Sequence, residues 1–262
     1  MSSTLVKDTP AQEADSKSQV APIPLIDSPL SKGIAIVRPV LLLGLLALRF
    51  DAVVAEPASS LQLALPAVAL IQTAYVTTCL PPAGSQAAKV VRRPRPGEKK
   101  RADANGPNTL SCVYFINTAV RLKQTAILAL LLTAISTPAV HALFVLFGAP
   151  FLGQVSHTLF CSAHFSLLAL FPVFYSRGVS GEALTAIAGA SAPLDETFGG
   201  LVGAVVGAWL GAVPIPLDWD REWQKWPVTV LVGMYAGSLL SSSVSGTFLY
   251  GKHLSQFDGE NE

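Results

Sequence analysis

The sequence predicts an all-α polytopic membrane protein, a bundle of about six transmembrane helices. Two observations carry this reading. Of the 262 residues, 51% are hydrophobic and only 13% are charged, whereas a soluble domain carries roughly 25% charged residues. The charges are also segregated. They gather in tails and loops, and the apolar runs between them reach about 18 residues or more, the length at which a helix crosses a bilayer. The net charge of +1 is uninformative beside that pattern. Cys79, Cys112 and Cys161 are odd in number, scattered and without a CxxC pair, which argues for packing roles rather than a disulfide framework or zinc site.

Taken in order, residues 1–32 are rich in Ser, Pro, Asp and Lys and have no apolar run of signal-peptide type. They read as a disordered tail. The membrane domain is expected over 33–250. Its first span runs from Ile34 to Val54, with Arg38 and Arg49 near its ends, from where their side chains are expected to reach headgroups. A link from Glu56 to Ser60 leads to the second span, Leu61 to Leu80, which Pro81 and Pro82 stop. Residues 81–109 form a basic loop with Lys89, Arg92, Arg93, Arg95, Lys99, Lys100 and Arg101, broken by Pro and Gly and read as flexible. Leu110 to Val120 reads as an interfacial segment before the third span, Leu122 to Phe147, in which Pro138 is expected to introduce a kink. The fourth span is Ser156 to Tyr175. A loop from Ser176 to Glu196 follows, helical in part over Glu182 to Ala190. The fifth span, Thr197 to Val213, is short. The sixth, Pro227 to Tyr250, is followed by a polar tail, 251–262.

The basic loop sets the orientation, because Lys/Arg-rich loops stay cytoplasmic. Six spans then put both termini in the cytoplasm and the 214–227 loop on the opposite side. The same Lys/Arg run makes a poor nucleic-acid surface, since it lies in a Pro-broken linker, and no nucleic-acid partner is expected.

Motif searching turns up no P-loop, GxSxG, HExxH or dinucleotide fingerprint, so no catalytic residue, metal site or cofactor is predicted. His141, His157 and His164 lie in or beside spans three and four with no Asp or Glu in those spans, and read as hydrogen-bonding groups. The clearest packing pattern is Gly199, Gly203, Gly207 and Gly211, spaced by four along one helix face, which admits a second helix at close range. Whether that helix belongs to this chain or to a partner is open. The loop that follows contains Pro214, Pro216, Asp218, Trp219, Asp220, Arg221, Trp223 and Trp226. Its prolines stiffen the entry, its Trp rings suit the membrane interface, and Asp218, Asp220 and Arg221 are placed to pair with one another or to grip a headgroup or partner.

The run Gly207-Ala208-Trp209-Leu210-Gly211-Ala212-Val213 followed by PIPLDWDREWQKWP resembles the signature of the PIG-F family, the phosphatidylinositol-glycan biosynthesis class F proteins, in its fungal form. The strong match covers about Gly199 to Val228. The resemblance implies a multi-pass protein of the endoplasmic reticulum that acts in glycosylphosphatidylinositol (GPI) anchor biosynthesis. It implies a non-catalytic accessory subunit that stabilises large GPI ethanolamine-phosphate transferase catalytic subunits, which add phosphoethanolamine to mannoses of the glycolipid. Contact with membrane lipid, either the GPI precursor or phosphatidylethanolamine, is a further expectation, and the signature loop would be lumenal. Two other readings remain: a lipid transporter or scramblase supplying phosphatidylethanolamine or GPI precursor, and a membrane transferase catalytic in its own right.

Overall fold

The computed structural model describes residues 20–85, 109–217 and 219–254. Most of the basic loop, most of both tails and Asp218 lie outside these residues. The described residues are helical, without strands. Ser28 caps the first helix, accepting from the Ser31 N–H at 3.0 Å, and Pro29 opens it in the position where a missing N–H costs nothing. Helix α1 spans Pro29–Leu48. A break at Arg49 separates it from the short α2, Phe50–Ala55, and α3 follows over Pro57–Cys79. Helix α4, Thr109–Leu146, runs 38 residues and retains Pro138 within it. At 1.5 Å per residue it is about 57 Å long, so the segment from Leu110 to Val120 is helical and continuous with the third span.

Next come α5 (Val155–Phe165), a π turn (Ser166–Leu170) and α6 (Phe171–Arg177), which together form one span. The π turn has a local cause. Pro172 has no N–H to give the Leu168 carbonyl, and Gln72 of α3 reaches across, its Nε2 donating to the Leu167 carbonyl at 3.1 Å and the Leu168 carbonyl at 3.5 Å. The loop after this span contains α7, Gly181–Ala188, close to where helix was expected. Then α8 covers Glu196–Ala212, and α9 covers Val228–Thr247.

Among the described residues, five helices are long and apolar enough to cross a membrane: α1, α3, α4 from Val120, the α5–α6 span and α9. The sixth expected span, α8, has 17 residues, about 25 Å of helix against a hydrocarbon core of about 30 Å. It lies antiparallel against α9 along its whole length.

The α5–α6 span is the centre of the bundle. It is largely buried, and α3, α4 and α8 pack around it, while α1, α3 and α4 leave most of their surface outward. The main core gathers Leu42, Leu61, Val68, Cys161, Leu168, Leu231 and Met234.

The tail boundaries differ from expectation. Residues 20–28 run extended against the body: the Ile23 side chain is buried, the Ile23 N–H donates to Asp195 Oδ2 at 2.9 Å and the Ile26 N–H to the Cys79 carbonyl at 2.9 Å. The start of the C-terminal tail is also tied down, with Leu194 N–H donating to the Lys252 carbonyl at 2.7 Å. Both are held because the backbone groups around Leu194 and Asp195 are buried and need partners.

Candidate functional site

The glycine face belongs to an internal seam. Asp195 caps α8, its Oδ1 accepting from the Thr197 and Phe198 N–H groups at 2.9 Å each. From that start, Gly199, Gly203, Gly207 and Gly211 all face α9. A methyl at Gly203 would overlap the Gly237 carbonyl, with its carbon 2.8 Å away. At Gly207 it would meet the Gly233 carbonyl carbon at 2.8 Å, and at Gly211 the Val230 Cα at 2.8 Å. Glycine is required because backbone meets backbone. Helix α9 answers with its own small residues at the same spacing, Gly233, Gly237, Ser241 and Ser245. That second stripe is legible in the sequence, where Ser241 and Ser245 read as small packing residues. The partner of the glycine face is thus this chain's own last helix.

The 214–227 loop caps this pair. Sequence reasoning singled out its Pro, Trp and charged residues but missed the side chain that shapes it. Gln224 is buried, sits in a 3-10 turn (Glu222–Gln224), and its Nε2 donates to the carbonyls of both Pro214 and Leu217. Trp226 locks the exit: its Nε1–H donates to Thr158 Oγ1 at 3.1 Å, and its ring meets Phe144 edge-on at 6.3 Å. Trp223 packs partly into the core and Trp219 stacks obliquely on it at 5.8 Å. Of the three loop Trp residues, Trp219 is exposed and Trp223 and Trp226 are half-buried. Pro216, Asp220 and Arg221 are exposed and Pro214 is half-buried. Asp220 takes a left-handed φ of 48°, which Asp tolerates better than most residues. Neither Asp220 nor Arg221 has an ion-pair partner among the described residues, and Lys225 pairs with Glu222. Below the loop, Val205, Val206, Trp209, Leu210 and Val213 make the outward face of α8 apolar.

The opposite end of the bundle holds buried charge, which the sequence reading missed. Arg38 does not reach for headgroups. It is 4% exposed, lies 3.6 Å from Glu196 Oε1, donates to Ser242 Oγ at 3.4 Å and stacks over the Tyr75 ring at 3.9 Å. Arg177 pairs with Asp195, both buried. Asp195 therefore accepts from Arg177, from the Ile23, Thr197 and Phe198 N–H groups and from the Thr197 hydroxyl, at 2.7 Å for the last. A carboxylate so filled is a structural clasp, not a free base. The available signal was two adjacent acids opening an apolar helix, with an Arg near an end of two other spans.

His164 bridges three helices. Its Nδ1 lies 2.6 Å from the Tyr235 hydroxyl of α9 and its Nε2 3.0 Å from the Leu61 carbonyl of α3. Among the described residues no group of three His, Cys, Asp or Glu side chains is placed to hold a metal ion. The described residues combine a locked helix pair, a stiff loop above it and a charge clasp below.

Comparison with known proteins agrees with the sequence signature. The profile described as "GPI biosynthesis protein family Pig-F" matches residues 37–246. A glycosylphosphatidylinositol anchor biosynthesis protein 11 of Neurospora crassa is 49% identical over 262 aligned residues, covering 96% of this chain and 92% of that one. The protein of the same name from Pyricularia oryzae is 50% identical, covering 80% and 75%, and that of Aspergillus fumigatus 36% identical, covering 91% and 87%. No solved structure matches. With the signature and the six-helix arrangement, these matches place the chain in the Pig-F family of GPI biosynthesis proteins, with a role in making the GPI anchor.

Proposed function

We propose that this protein is a non-catalytic accessory subunit of GPI ethanolamine-phosphate transferases, stabilising the large catalytic subunit at the step that adds phosphoethanolamine to mannose. It acts in the endoplasmic reticulum membrane, with both termini in the cytoplasm and the 214–227 loop in the lumen. Family membership supports the pathway. The orientation rests on the basic loop and on an even number of crossings.

The observation that carries the subunit reading is the construction of the loop. Gln224 and Trp226 hold its backbone from within, while Trp219, Asp220 and Arg221 point outward. A preorganised surface with an aromatic ring and an Arg at its centre has the composition of an interaction hot spot. Of the polar groups that a transport pathway would want at midplane (Gln72, Thr73, His141 and His164), Gln72 Nε2 and His164 make interhelical hydrogen bonds and Thr73 bonds within its own helix, while Gln72 Oε1 and His141 Nδ1 are buried without a hydrogen-bond partner.

The test is a glycolipid profile after depletion, together with purification of the complex through a tagged large subunit. Mannosylated glycolipids lacking terminal phosphoethanolamine should accumulate, and the two chains should co-purify. Asp218→Ala and Arg221→Ala should reduce transfer while this chain stays abundant. An unchanged profile sinks the pathway step. Failure to co-purify, with the profile changed, sinks the subunit role. Transfer by this chain alone would make it the enzyme.

A further inference from the structure

Residues 20–28 cross the Arg177–Asp195 pair as an extended strap, and the Ile23 N–H takes the same carboxylate oxygen, Asp195 Oδ2, that Arg177 holds. The grip of this strap is slight. Ile23 is its one buried side chain, in a cluster with Tyr75, Cys79, Phe171 and Tyr175, while Pro24, Leu25, Ile26 and Asp27 are exposed. Pro22 and Pro24 flank Ile23 and have no N–H to give. The strap donates to the body through two backbone groups, the Ile23 N–H to Asp195 Oδ2 and the Ile26 N–H to the Cys79 carbonyl, at 2.9 Å each. In return its Pro22 carbonyl accepts from the Tyr250 hydroxyl at 3.5 Å.

What lies underneath opposes that grip. The Arg177 and Asp195 side chains are 2% and 0% exposed. Arg177 gives Nη2 to Asp195, but its Nε and Nη1 are buried without a hydrogen-bond partner. Donors buried without an acceptor lose what water would have given them. The seated strap therefore gains one Ile side chain and two hydrogen bonds, and it gives up the hydration of a cation and the freedom of an extended segment. Lifting the strap would wet the guanidinium and still leave Asp195 holding Arg177 and the Thr197 and Phe198 N–H groups. The neighbouring α8–α9 pair has no such conflict, because it is closed backbone to backbone.

We infer that residues 20–28 form a latch, which opens locally while the helix bundle stays folded and admits water to the Arg177–Asp195 pair and to Cys79. The latch rests on the residue that caps α8. Whatever engages the chain ahead of residue 20 thus acts directly on the start of the α8–α9 pair. The latch stands apart from the subunit reading, since its test needs this chain alone.

Cys79 is the reporter: it is fully buried, shares a cluster with Ile23 and lends its carbonyl to Ile26. Cys161, equally buried but in the main core, reports unfolding of the bundle. The test uses the purified full chain in detergent, carrying Cys112→Ser, and follows the rate at which a water-soluble maleimide labels each thiol. Cys79 should be labelled while Cys161 stays protected. Ile23→Ala should speed the labelling of Cys79 about tenfold or more, the scale set by one buried Ile side chain. Ile23→Val should fall between that variant and the parent, and Leu30→Ala, at an exposed position on α1, should change nothing. Labelling of both thiols at one common rate, in the parent or in Ile23→Ala, would mean that the strap leaves only when the bundle unfolds, and overturns the latch. A Cys79 rate that Ile23→Ala leaves unchanged overturns it too. Hydrogen exchange on the unaltered chain gives an independent reading: amides of residues 20–28 should exchange well before those of Val230 to Tyr235 in α9, and equal protection of the two segments again overturns the latch.

Discussion

Replacing Gly203 with Ala adds a single methyl group at the tightest part of the molecule. Its carbon would stand 2.8 Å from the carbonyl carbon of Gly237, with the Ser241 side chain also overlapped. Carbon atoms pack best at about 3.5–4.0 Å, so α8 and α9 must part by about 1 Å, and a gap of that size forfeits a quarter to a half of the dispersion energy across the seam. Overpacking of this kind costs about 1–3 kcal/mol. Alanine returns about 1 kcal/mol through its better helix propensity. The net should lie near 1–2 kcal/mol of destabilisation, because the obstacle is backbone and cannot rotate away. At about 2–4 °C per kcal/mol for a chain of this size, thermal unfolding in detergent should fall by several degrees. The control is one turn away. A methyl at Gly200 meets Ser242 Cβ at 3.5 Å, an ordinary contact, so Gly200→Ala should hold or raise the transition. If Gly203→Ala is no less stable than Gly200→Ala, the backbone seam is not what closes the pair.

Other perturbations probe the two ends and the centre. Asp195→Asn keeps an acceptor for the Thr197 and Phe198 N–H groups but leaves Arg177 buried without a counter-charge. It should cost about 3–5 kcal/mol, read as loss of folded protein on size-exclusion, and adding Arg177→Met should restore part of it. Gln224→Ala removes both side-chain bonds that shape the 214–227 loop; the loop should become cleavable by added protease while the helical content is unchanged. His164→Leu strands the Tyr235 hydroxyl and the Leu61 carbonyl, costing about 2–4 kcal/mol, measurable as a lowered unfolding temperature that Tyr235→Phe added on top should not lower further.

Much of this architecture can be read from composition and period. A bilayer core of about 30 Å demands helices of a set length, so apolar runs between charged loops mark the spans to within a few residues. Proline and the Ser28 cap mark where they begin. The glycine stripe on α8 is visible because close approach leaves a fourfold repeat in the chain itself, and so does its complement at Gly233, Gly237, Ser241 and Ser245. The signature loop is visible because its residue types are unusual. What the chain cannot announce is which groups meet. Arg38 looks the same in the sequence whether it reaches water or lies across Tyr75 against Glu196, 158 positions away. Gln224 is an ordinary polar residue until the turn folds Pro214 and Leu217 towards it. The strap that lays Ile23 on Asp195 joins positions 172 apart. Periodicity reports the face a helix buries, because burial is a property of one element. Pairing of charges and seating of a strap belong to several elements at once, and only their packing decides them.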